Sequence, residues 1–253
     1  NIKVGGKHGR PVMTDVFYNE TQGEMPVVIY AHGINGFKDW GNFDLIAQQF
    51  VEAGFCFVKF NFSHNGTTPQ QPTDLADLEA YGNDNYTIQL DDLDTIIDWV
   101  TFDDNDYTPN IDLDRITLLG HSKGGGMVLL KAAEDRRVKQ VVTWAAISEC
   151  KTPWGNWGGD KMKAWKELGV QYLLNGRTQQ EMPLNYQLYE NYTANEERLN
   201  IEKAIKSLSI PILICHGRQD PAVPVETAVQ LNTWQPNTEL FITSGNHVFD
   251  RKH

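Results

Sequence analysis

The stretch Ile116-Thr117-Leu118-Leu119-Gly120-His121-Ser122-Lys123-Gly124-Gly125, with Met127-Val128-Leu129-Leu130-Lys131-Ala132-Ala133 behind it, decides how this chain is read. Its first four residues form an apolar, β-rich run, and the second segment carries helix formers. A strand that turns abruptly into a helix leaves one residue strained at the corner, and small neighbours on either side let the two backbones approach closely. Ser122 falls at that corner. Its hydroxyl would project above the sheet beside a helix N-terminus, whose free N–H groups favour developing negative charge.

Outward from this corner, short apolar runs alternate with amphipathic helical patterns, the signature of a mostly parallel sheet covered by helices. Residues 27–31, 55–62, 115–119, 138–147, 211–217 and 239–242 read as strands, and 43–53, ended by Gly54, as a helix. Tyr86, Leu90, Leu93, Ile97 and Val100 recur at helical spacing, with Asp91, Asp92, Asp94 and Asp98 as the solvated face. Residues 63–84, rich in Thr, Pro, Gln and Asn, read mostly as a surface loop. Asp103-Asp104-Asn105-Asp106 resembles a calcium loop only superficially, since the glycine and terminal glutamate are missing, so no metal is expected there. The rhythm breaks between Glu149 and Ser209, where strand runs give way to helix formers and aromatics such as Trp154, Trp157 and Trp165. This predicts a core of residues 1–148 and 210–253 with a small, mainly helical cap inserted at 149–209. No internal repeat or low-complexity tract interrupts the pattern.

A length of 253 residues suits one sizeable α/β core. The net charge of −11 leaves no basic footprint, which argues against nucleic acid or an anionic membrane as partner. No apolar stretch reaches the roughly 20 residues needed to span a bilayer, and no leader is evident. The expectation is a soluble, cytoplasmic protein, although the sequence opens at Asn1 rather than Met. Cys56, Cys150 and Cys215 are too few for a disulfide framework and read as buried small hydrophobes.

A serine hydroxyl is a poor nucleophile unless a base accepts its proton, and a histidine oriented by a buried carboxylate serves best. In a parallel sheet, functional residues gather beyond the carboxyl ends of strands. Asp220 follows the 211–217 run, and His247 follows the 239–242 run. Asp250 and His253 are the late rivals, while His32, His121 and His216 read as structural residues at strand ends.

Four motifs occur in order: Ala31-His32-Gly33-Ile34-Asn35-Gly36, Asp114-Arg115-Ile116 running into Gly120–Gly125, His216-Gly217-Arg218-Gln219-Asp220-Pro221-Ala222-Val223-Pro224, and Gly245-Asn246-His247. In these the chain resembles the α/β-hydrolase family from about Met25 onward, and within it the dienelactone-hydrolase-like and prolyl-oligopeptidase-like members. The resemblance implies the α/β-hydrolase fold, with helices on both faces of the sheet. It implies Ser122 as nucleophile, His247 as base and Asp220 as its orienting acid, and it implies an oxyanion hole from the backbone N–H groups of Lys123 and Ile34. Asn35 or Phe37 replaces Ile34 if that loop folds differently. Members of the family usually carry a helix after the histidine, whereas six residues follow His247 here.

Together these readings predict a serine hydrolase acting on small or medium soluble carboxylic esters through an acyl-enzyme, with neither metal nor organic cofactor. Peptide or thioester cleavage by the same residues, or a non-catalytic ligand-binding scaffold, are the alternatives. Trp154 and Trp157 are the expected substrate-binding walls of the cap, or else part of its own core. For Met182, Pro183 and Arg177 nothing in the sequence fixes a direction.

Overall fold

Strand β3 (Met25–Ala31) shows how the sheet acquires two covered faces. Val27, Ile29 and Ala31 join one apolar cluster, whereas Val28 and Tyr30 join another, because successive side chains of a strand point to opposite sides. The computed structural model describes residues 1–102, 105 and 107–250. The Asp103–Asp106 motif, apart from Asn105, and the rival base His253 therefore lie outside the described residues.

Strands β1 (Ile2–Val4), β2 (Val12–Phe17), β4 (Cys56–Asn61), β5 (Ile111–His121) and β6 (Val138–Trp144) belong to the same sheet as β3. A hairpin of β7 (Val170–Leu174) and β8 (Glu181–Asn185) stands apart from it, and β9 (Ile212–Gly217) and β10 (Glu239–Thr243) complete it. The eight-stranded order is β1-β2-β4-β3-β5-β6-β9-β10, antiparallel at β1/β2 and β2/β4 and parallel from β4 to β10. Helix α1 (Phe43–Glu52) packs into the smaller cluster. On the other face lie α3 (Tyr86–Val100) and α4 (Lys123–Glu134), with the short α2 (Leu78–Gly82) preceding them. The strand order turns back at β3 and β5, which opens a crevice beyond their carboxyl ends, where open α/β sheets bind ligands.

After β6 the chain runs through α5 (Gly159–Leu168), the antiparallel β7–β8 hairpin and α6 (Gln187–Ala194), so the expected mainly helical segment carries a hairpin as well. Helix α7 (Ile201–Ser207) returns to the core, where Ile201, Ala204 and Ile205 are buried in the main cluster, as is Ala228 of α8 (Glu226–Trp234). The cap is built around Trp165, which is fully buried and donates from Nε1 to the Leu184 carbonyl at 2.7 Å.

Two surface expectations change. Asp92 of α3 is fully buried, its carboxylate accepting the Ser63 amide at 2.7 Å, and burial pushes its carboxyl up to about 7. The polar 63–84 segment turns inward at its start, where Ser63, His64 and Asn65 are buried, because it runs beneath the cap and through α2 rather than over solvent. Helical period alone could not show this, since the 63–65 segment covers a second flank of α3. All three cysteines are unpaired, and burial raises Cys56 and Cys150 to about 12 and Cys215 to about 11. Among the described residues no helix is long and apolar enough to cross a membrane.

Candidate active site

Ser122 links β5 to α4 with φ 55° and ψ −119°, a conformation that costs an L-residue energy and persists because its surroundings fix it. Its amide donates to the Trp144 carbonyl at 2.8 Å, and its carbonyl accepts the amides of Gly125 at 3.0 Å and Ile147 at 3.2 Å. Gly120 explains the sharpness of the turn, since a Cβ there would lie 2.3 Å from the Gly124 carbonyl oxygen. Lys123 opens α4, where an amide has no acceptor within the helix. Its side chain points elsewhere: Nζ is 3.0 Å from Asp84 Oδ2 and lies over the Tyr86 ring.

The loop after β3 comes up against the corner from the side. A Cβ on Gly33 would sit 2.9 Å from the Ser122 Cβ, so the neighbouring Ile34 is brought beside Ser122. His32 shapes this loop, its Nδ1 donating to the Gly33 carbonyl at 2.8 Å while Nε2 accepts the Phe62 amide at 3.2 Å. Burial pushes the His32 ring down to about 4, so it is neutral and fits this donor-and-acceptor role. Further along, the buried Lys38 anchors the loop, its ammonium paired with Asp15 and with Asp39 and its amide donating to Asn61 Oδ1 at 2.6 Å.

Beyond β9 and β10 the structure brings Asp220 and His247 together. His247 Nδ1 donates to Asp220 Oδ2 at 2.7 Å, which leaves Nε2 as the acceptor of the ring. The Asp220 carboxylate is fully enclosed, and its other oxygen accepts the amides of Ala222 at 2.8 Å and Val223 at 2.9 Å. Burial alone would push this carboxyl up, but the Val223 amide, the His247 ring and the Ala222 amide together hold it below the usual carboxylate range. His216 Nε2, 3.2 Å from Asp220 Oδ2, donates to the Val223 carbonyl at 2.9 Å and braces the same turn. His121 Nε2 donates to the His247 carbonyl at 2.9 Å, with the two rings 4.8 Å apart between centroids. Asp250, the rival acid, is exposed, and its amide bonds Asn246.

Ser122, His247, His121 and Ile34 line one cleft of about 300 Å³. Its apolar wall comes from Tyr30, Phe37, Trp40 and Val248, and the hairpin adds Asn175 and Arg177. Ile34 also lines a second, much smaller pocket, there with Lys123, Asp84, Gln89 and Tyr81. Trp154 and Trp157 do not line the cleft. Their rings lie 5.9 and 5.2 Å from Trp165, and Trp154 also meets Tyr86, Tyr189 and Tyr192, so both sit in the cap's own core. Met182 is fully buried there too. Sequence reasoning did not anticipate Phe37 and Trp40 as walls; their position just past the β3 end was the available signal. Among the described residues no group of three or more His, Cys, Asp or Glu is arranged to hold a metal ion.

A nucleophile-type corner beside an Asp-paired histidine points to a known kind of protein, and the BD-FAE family model, an α/β-hydrolase-type esterase domain, matches residues 14–235. The chain belongs to the BD-FAE family. The match takes in Ser122 and Asp220 and ends before His247, whose place rests on the geometry above. The chain is 30% identical over 130 residues to the quorum-quenching protein AidA of Acinetobacter baumannii (strain MDR-ZJ06), covering 51% of this chain and 36% of AidA. It thus spans little more than a third of that relative's length. Est1E from Butyrivibrio proteoclasticus, solved with ferulic acid bound, superposes with a TM-score of 0.72 at 18% identity over 99% of this chain and 92% of Est1E. The α/β hydrolase GrgF from Penicillium sp. sh18 superposes with a TM-score of 0.70 at 19% identity, over 98% and 90% of the two chains. At these identities the two structures share the fold of this BD-FAE domain.

Proposed function

We propose that this chain is a serine carboxylesterase for small to medium esters. The observation that carries the reading is the 2.7 Å contact from His247 to an enclosed Asp220, on the same cleft as a strained Ser122. In the proposed reaction Ser122 Oγ gives its proton to His247 Nε2 and attacks the ester carbonyl carbon, whose oxygen takes up the electron pair. The amides of Lys123 and Ile34 receive that oxyanion, and one such donor contributes about 3–4 kcal/mol of barrier lowering. As the carbonyl re-forms, the alcohol departs with the proton from His247. Water then gives a proton to His247 and attacks the acyl-enzyme, and as that adduct collapses His247 returns the proton to Ser122 Oγ, releasing the acid and free Ser122. Asp220 holds the ring in the required tautomer and stabilises its cation without taking its proton. The cleft, at about 300 Å³, sits at the small end of ligand pockets, which sets the proposed substrate size.

A fluorophosphonate probe with peptide mass mapping tests the reading, comparing the chain with Ser122→Ala, alongside a panel of activated esters. Labelling confined to Ser122 with ester turnover supports it. Folded protein that neither labels nor turns over any ester would overturn it in favour of a non-catalytic scaffold.

A further inference from the structure

The tip of the β7–β8 hairpin places a buried, unpartnered amide donor and an exposed guanidinium at the cleft. Asn175 is 3% exposed, and its Oδ1 closes the turn by accepting the amides of Arg177 at 3.0 Å and Thr178 at 3.4 Å. Those bonds fix Nδ2 as the other end of the amide, and Nδ2 is buried with no hydrogen-bond partner among the described residues. A buried donor left unmade costs free energy that a ligand oxygen would recover. Two residues on, the Arg177 guanidinium lies 5.3 Å from the centroid of the Phe37 ring, which is itself a wall of the cleft. Among the described residues no carboxylate pairs with Arg177, although the chain carries 33 acidic side chains against 22 Lys and Arg. Among the described residues no carboxylate lines the cleft, and Arg177 is the one side chain of fixed charge that does.

We infer that Arg177 and Asn175 form an anion-recognising clamp, and that the preferred substrates are esters bearing a second, ionised carboxylate. This rests on the esterase reading above. Phe37 and Trp40 would hold the apolar spacer between the two groups, and the guanidinium and amide would take the carboxylate oxygens through charge-assisted bonds. Such a charge is also placed to select substrate in a molecule whose net charge otherwise repels anions.

The test compares kcat/KM within two matched pairs, which place the carboxylate on opposite sides of the scissile bond: mono(4-nitrophenyl) adipate against its methyl ester, and 4-acetoxybenzoate against its methyl ester. At low salt the carboxylate member of at least one pair is expected to be favoured about tenfold, a preference weakened by added salt. The ratio should collapse toward unity in Arg177→Gln and fall in Asn175→Asp, which keeps the turn-closing oxygen and removes the donor. A ratio taken within one preparation does not depend on how much of it is folded. Preference for the neutral ester in both pairs, or ratios unmoved by Arg177→Gln, overturns the clamp while leaving the esterase reading intact. If no ester is turned over, the esterase reading fails, and calorimetric titration with hexanoate and benzoate against hexanamide and benzamide decides the clamp. Tighter binding of the acids, lost in Arg177→Gln, supports it, and equal or absent binding ends it.

Discussion

The corner between β5 and α4 and the tip of the β7–β8 hairpin face the same cleft and are built in opposite ways. At the corner the backbone groups of Ser122 are tied to Trp144, Gly125 and Ile147, and the Asp220 carboxylate meets His247 and two amides. At the hairpin tip Asn175 Nδ2 has no partner and Arg177 is exposed. A site whose reaction is set by fixed dipoles gains from having them satisfied and immobile before substrate arrives. A site that selects among substrates needs donors still open to them. On the proposed reading, the difference separates machinery from selection within one cleft.

The largest effect that tests the corner is that of Ser122→Ala, for which ester turnover should fall by about 10⁶-fold, with the melting temperature little changed. Retention of turnover in steady-state assays would place the nucleophile elsewhere. Asp220→Asn comes next. It keeps the oxygen that accepts Ala222 and Val223 but presents an amide to His247 Nδ1, forcing the wrong tautomer, and kcat should drop about 10⁴-fold.

On the cap side, Trp165→Ala removes the ring at the centre of the aromatic cluster and should cost about 3–5 kcal/mol in denaturant unfolding. In contrast, Trp157→Phe should leave the ranking of ester substrates unchanged. A reordered ranking would return Trp157 to the cleft wall and erase the distinction between cap core and cap tip.

The smallest effect lies in the pH dependence of stability, where His32 and His64, both held below their ordinary value by burial, act against Asp92. His32, held down to about 4 by burial, is neutral when folded and takes a proton on unfolding below its ordinary 6.5. Its contribution is complete above 6.5 and is lost as the pH falls through about 4, a change of about 3 kcal/mol. Asp92, raised to about 7 by burial, keeps its proton when folded. Its contribution is complete below 3.8 and is lost as the pH rises through about 7, by about 4 kcal/mol. Melting temperatures between pH 4 and 7 should therefore vary less than either side alone would give. In Asp92→Asn they should rise with pH, and a flat profile in that variant would mean that His32 is not buried neutral.

The residues at the strand ends could be read without coordinates because each answers a local demand. Only a small residue tolerates the approach at Gly120, and a strand covered on both faces such as β3 must be apolar nearly throughout. The inward turn of Asp92 could not be read that way. Its side chain lies on a helix flank that would be solvated if the 63–65 segment did not cover it. The hairpin inside the cap was hidden for a similar reason: β7 and β8 pair with each other outside the main sheet and carry few of the apolar runs that mark buried strands.

The sequence by itself determined the alternating architecture, the corner at Ser122 and the residue types past β9 and β10, because periodicity and steric demands at turns act over a few neighbours. Tertiary structure alone decided which acid meets which histidine, because 27 residues separate Asp220 from His247 and only the pairing of β9 with β10 brings them to 2.7 Å. It also decided that Trp154 turns into the cap while Arg177 lies against Phe37. An aromatic side chain in an insertion can be buried equally well in that insertion's own core or in a cleft wall, and composition does not distinguish the two. Packing does, because it assigns each ring one set of neighbours.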